Sequence, residues 1–77
     1  MYEETATSMR THHHVRIQVT GETVQPGDVI VFGDCGYTVV EVVDFSGNRK
    51  GLRFRTGEAL IMEPSEELSA VRAIERR

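Results

Sequence analysis

Residues 25–47 read QPGDVIVFGDCGYTVVEVVDFSG, two nearly unbroken apolar runs between turn signals in a chain of 77 residues. Pro26 cannot donate to a strand ladder and Pro-Gly favours a reversal, so the first run begins at Val29. Residues 29–32 (VIVF) read as one strand and GDCG as its turn. Residues 37–45 (YTVVEVVDF) read as the next strand, because their β-branched and aromatic content disfavours a helix. Side chains alternate across a strand, so both segments carry large apolar groups front and back. Val29 and Val31 share one face of the first strand, Ile30 and Phe32 the other. On the second, Tyr37, Val39, Val43 and Phe45 flank Glu41, while Val40 and Val42 lie on the opposite face between Thr38 and Asp44. A register that buries one set exposes the other.

Working outward, residues 15–19 (VRIQV) alternate Val15, Ile17 and Val19 with polar neighbours, the signature of a half-buried strand. Residues 46–51 (SGNRKG) form a basic hairpin loop. Residues 52–55 (LRFR) put Leu52 and Phe54 inward and Arg53 and Arg55 outward, Thr56-Gly57 fits a two-residue turn, and residues 59–63 (ALIME) make a fifth strand. The tail has two readings. Ser65 before two glutamates suits a helix N-cap, with Leu68, Val71 and Ile74 on one face. The favoured one is a 3₁₀ turn at 65–68 followed by a short strand, AVRAI. The expected fold is therefore all-β: a small barrel or rolled antiparallel sheet of five to six strands, ending in a short 3₁₀ or helical turn.

Residues 1–14 (MYEETATSMRTHHH) lack apolar periodicity and read as a flexible arm, leaving residues 15–77 as a single small domain. At that size, burial barely offsets chain entropy. Cys35 is the one cysteine, which excludes an internal disulfide and a cysteine-based zinc site within one chain. The absence of a signal-peptide core and of a long apolar run leads us to expect a cytoplasmic protein with no membrane contact. A net charge of −3 argues against a protein dedicated to coating nucleic acid.

The stretch QPGDVIVFGDCGYTVVEVV resembles the opening hairpin of SH3-like small barrels, and the likeness runs over roughly residues 24–62. Gly27 and Asp28 are similar to the Gly-Asp strand entry of the KOW variety of that fold, which implies RNA binding. The short, acidic GDCG turn departs from the longer basic loop of KOW segments, so the resemblance implies the barrel more than the RNA.

Four features are candidates for chemistry. His12, His13 and His14 are adjacent, and neighbouring side chains in an extended arm diverge, so they read as a solvated arm or a leftover tag and not as a metal site. Cys35 has Asp34 beside it, which opposes the thiolate a nucleophile needs. The carboxylates Asp28, Asp34, Glu41 and Asp44 could supply a pair for acid–base work, but Asp28 and Asp34 lie at turns, where such residues are favoured for backbone hydrogen bonding. Arg49, Lys50, Arg53 and Arg55 form a basic stretch suited to phosphate contacts, yet arginines opposite Glu41, Glu58 or Glu63 also serve simply as a solvated strand face. No catalytic residues, metal or cofactor are expected.

The surplus apolar face decides the functional expectation. Burying four residues such as Ile30, Phe32, Val40 and Val42 gains about 6–8 kcal/mol at about 1.5–2 kcal/mol each. That rivals the stability of a whole small domain, and monomers avoid contiguous apolar patches. Either the C-terminal tail or a second chain, a homodimer partner or another protein, is expected to cover them. The expectation is a non-catalytic module acting through protein–protein contact or self-association at Ile30, Phe32, Val40 and Val42. The alternative is nucleic-acid binding through Arg49, Lys50, Arg53 and Arg55.

Overall fold

The computed structural model describes residues 12–75. It is all-β: β1 (His12–Val19), β2 (Val29–Phe32), β3 (Cys35–Phe45), β4 (Arg49–Phe54), β5 (Ala59–Met62) and β6 (Leu68–Glu75), with one 3₁₀ turn at Ser46–Asn48. All pairings are antiparallel, in one open sheet of order β1-β6-β2-β3-β4-β5. The first strand starts three residues earlier than its apolar alternation suggests, because His12, His13 and His14 pair with Glu75, Ile74 and Ala73 of β6. Backbone pairing is indifferent to side-chain polarity at an exposed edge, which is why hydropathy alone placed these histidines in the arm. The rest of that expected arm, residues 1–11, lies outside the described residues.

The tail is a strand. Pro64 and Ser65 occupy a turn in which the Glu66 N–H donates to the Glu63 carbonyl at 3.0 Å and Glu66 Oε1 accepts from the Glu63 N–H at 3.1 Å. That turn replaces the expected 3₁₀ segment. β6 then inserts between β1 and β2, so the C-terminal segment completes the sheet instead of covering a face.

The long β3 joins the two halves of the sheet. Its first part pairs with β2 and its second with β4, and the register slips between Val39 and Glu41. Val39 sits opposite Phe54 and Glu41 opposite Arg53, so Val40 is an extra residue, a β-bulge that bends the strand and increases its twist. Thr38 accepts from the Arg55 N–H at 2.8 Å, and Val39 bonds both Gly27 and Asp28, which ties the bend to both halves. Every strand contributes to one core: Val19, Val24, Ile30, Val39, Leu52, Phe54, Met62 and Ala70 are all buried.

Two glycines set hairpin geometry. Gly33 (φ 61°) opens the two-residue β2–β3 loop, the place where a II′ turn needs a positive φ. Gly57 (φ 103°) ends a three-residue loop, Arg55–Gly57, closed by Phe54 and Glu58, one residue longer than the expected Thr56-Gly57 turn.

One buried ionic group fastens the ends of the domain together. Asp28, 1% exposed, sits at the entry to β2. Arg72 of β6 donates from Nε to Oδ1 at 2.8 Å and from Nη2 to Oδ2 at 2.9 Å, and Nη2 also donates to the Thr23 carbonyl at 2.9 Å. Asp28 Oδ2 accepts from the Gln25 N–H at 2.9 Å. The hydrogen bond to Asp28 raises the Arg72 pKa above its ordinary value, against a lowering by burial and with a further rise from the charge of Asp28. Among the described residues no buried side-chain polar atom lacks a partner.

Candidate functional site

The four residues expected to form an apolar interface separate. Ile30 is 0% exposed and packs in the core, opposite Tyr37 and Ala70. Val42 is half-buried against the same core. The cause is the bulge: one extra residue at Val40 shifts the alternation, so Val39 and Val42 both face inward. Phe32 and Val40 remain outside, 40% and 45% exposed. Ile30 and Val42 are therefore core residues, and a surface built on all four does not exist.

Phe32 belongs instead to an aromatic cleft. Its ring lies 5.8 Å from Tyr37, and Tyr37 lies 5.6 Å from Phe54, both pairs tilted. Tilted rings at such distances suit the aromatic quadrupole. With Glu58, Ala59 and Leu60 they line an open cleft of about 230 Å³. The β2–β3 hairpin thus supplies one wall and the β4–β5 hairpin the other. Thr56 donates its hydroxyl to the Glu58 carboxylate, holding it at the rim.

β5 borders the cleft and is an edge of the sheet. The Phe54 N–H donates to the Glu58 carbonyl at 2.9 Å, and antiparallel bonding alternates along a ladder. With Leu52 opposite Leu60 and Lys50 opposite Met62, residues 60 and 62 direct their backbone groups to β4. The N–H and C=O groups of Ala59 and Ile61 therefore point away from the sheet. β5 itself carries no charge or proline, the usual protection of an edge strand.

A second apolar area lies on the outer face of β3, β4 and β5. Val43, Gly51 and Ile61 form one cross-strand row, and Phe45 and Ile61 are 47% and 43% exposed. A methyl group at Gly51 would run into the Phe45 ring, so this ring lies across the glycine and explains why Gly51 is buried on an otherwise open face. Gly51→Ala should displace the ring and cost about 1–2 kcal/mol in urea unfolding; a neutral result would show that Phe45 moves aside freely.

The basic stretch is largely answered within the chain. Arg53 donates to Glu41 Oε1 from Nη2 at 2.6 Å and from Nε at 3.1 Å, and Lys50 meets Asp44 at 2.8 Å. Arg49 Nε donates to the Ser46 carbonyl at 3.3 Å, and Arg55 is exposed on the β4–β5 loop. Cys35 is free and exposed at the start of β3. Among the described residues no three His, Cys, Asp or Glu converge as metal ligands, and no helix is long and apolar enough to cross a membrane.

The reading of the sequence missed Tyr37, Glu58, Ala59 and Leu60 as neighbours of Phe32. The signal was faint: three aromatics on three segments, with nothing local to say that the hairpins meet. Comparison with known proteins finds no matching family model, no similar curated protein and no similar solved structure.

Proposed function

We propose that the chain is a non-catalytic binding module acting through protein–protein contact, with the aromatic cleft as its seat. The observation that carries this reading is the cleft walled by Phe32 and half-buried Tyr37 over the buried Phe54, beside a strand edge that has no partner among the described residues. Aromatic side chains at a concave site give large contact area with little entropy to lose, the usual make-up of a binding hot spot. The SH3-like resemblance of residues 24–62 stands as part of the same proposal, supported by the short apolar strand after Gly27-Asp28 and the hairpin that follows it. Self-association is less well supported at this edge. A two-fold antiparallel pairing of β5 brings the Glu58 end of one copy beside the Glu63–Glu67 end of the other, and like charges so placed oppose each other.

Selection from a random-peptide display library on the immobilised chain tests the reading. Peptides should enrich, and their affinity should fall about thirtyfold, or about 2 kcal/mol, with Phe32→Ser. Failure to enrich, or equal binding by Phe32→Ser, would remove the cleft as the seat.

A further inference from the structure

We infer that the partner is an extended peptide segment carrying lysine or arginine, which adds as a strand to the β5 edge and lays a basic side chain into the cleft beside Glu58. The inference rests on the protein-binding reading and names the chemistry of its ligand. Three observations carry it.

First, the outward backbone groups of Ala59 and Ile61 offer two donors and two acceptors to an incoming strand, the basis of strand addition at a sheet edge. The neighbouring Glu63 N–H is already taken by Glu66 Oε1, so the receptive length ends there. Second, residues directly opposite in a ladder project to the same face. A peptide residue facing Leu60 therefore points to the side of the sheet on which Leu60 lines the cleft with Phe32, Tyr37 and Phe54. Third, the charge around this edge is acidic. Glu58 stands at its start and Glu63, Glu66 and Glu67 at its end; of the cations nearby, Arg53 and Lys50 on β4 are engaged by Glu41 and Asp44, which leaves Arg55 on the β4–β5 loop. A cation over aromatic faces beside a carboxylate gains from both, and an acidic rim disfavours acidic segments, a second copy of this edge included.

The test is an amide-detected NMR titration of the full chain with capped heptapeptides. One is Thr-Val-Lys-Val-Lys-Val-Thr, one has glutamate in place of lysine, and one is the lysine peptide N-methylated at alternate residues. The lysine peptide is expected to shift the amides of Ala59 and Ile61 and the ring signals of Phe32 and Tyr37. It should bind about tenfold more tightly than the glutamate peptide, and Glu58→Gln or N-methylation should weaken it several-fold. Equal binding of lysine and glutamate peptides at the cleft would overturn the basic ligand while leaving a protein-binding cleft intact. Equal binding of the N-methylated peptide would overturn strand addition. If display-selected peptides bind the cleft and the lysine peptide does not, the inference alone fails; if neither binds, the cleft itself is lost as a seat.

Discussion

Asp28→Ala should destabilise the domain by about 3 kcal/mol or more, enough to leave a substantial unfolded fraction in a chain this small. The physical reason is asymmetry. Making an ion pair in the interior yields little net stability, because desolvation opposes attraction, but removing one partner strands the other. Without the carboxylate, the Gln25 N–H loses its acceptor and Arg72 keeps only the Thr23 carbonyl. The converse variant, Arg72→Met, is the harsher of the two, because Arg72 is a quarter exposed and can turn toward water, whereas the Asp28 side chain is 2% exposed and cannot. Chemical unfolding of both single variants and of Asp28→Leu with Arg72→Met measures this. The double variant should recover much of the loss, since an apolar pair of similar size avoids a stranded charge. A loss below about 1 kcal/mol for Arg72→Met would show that the pair behaves like an exposed one.

This pair also marks the limit of what one-dimensional pattern can reveal. Asp28 is favoured at a turn for its backbone hydrogen bond, and it does accept from Gln25, but its main partner lies 44 residues away. Nothing in the alternation of Ala70, Val71 and Arg72 announces that Arg72 reaches from β6 to the β2 entry. By contrast, the inward Leu52 and Phe54, the outward Arg53 and its contact with Glu41 all follow from strand alternation and cross-strand pairing. The all-β organisation, read as five to six strands, was legible for the same reason. The tail was ambiguous because its spacing of three suits a helix, while its pairing between β1 and β2 makes it a strand.

The surplus apolar face shows how one residue changes a functional reading. Alternation through YTVVEVVDF assumes an uninterrupted pleat, and the bulge at Val40 breaks it. The result sends Val39 and Val42 to one side and turns Glu41 outward, while leaving Val40, Val43 and Phe45 outside. Of the exposed large groups, Phe32 belongs to the cleft and Val43, Phe45 and Ile61 to the outer apolar area, while Val40 stands at the bulge and Ile74 on β6. Bulges have no sharp signature when, as here, the extra residue is one valine among four.

Ile30 and Phe32 lie two residues apart on the same short strand, and their alanine variants should part company. Ile30→Ala should lose about 2–4 kcal/mol of stability, the range for emptying a buried branched side chain, because Ile30 is fully enclosed by the core that every strand helps to build. Phe32→Ala, at 40% exposure beside the β2–β3 turn, should lose about 1 kcal/mol, mostly its contact with Tyr37. Their effects on peptide binding should be the reverse: a folded Ile30→Val retains it, and Phe32→Ala weakens it severely. The milder Ile30→Val, expected to cost about 1 kcal/mol, keeps the comparison interpretable if Ile30→Ala is too unstable to assay. Thermal unfolding and the peptide titration on the same samples separate packing from recognition. Equal loss of binding in Ile30→Val and Phe32→Ala would mean that the cleft responds to core packing as a whole, and that Phe32 has no private role in contacting a partner.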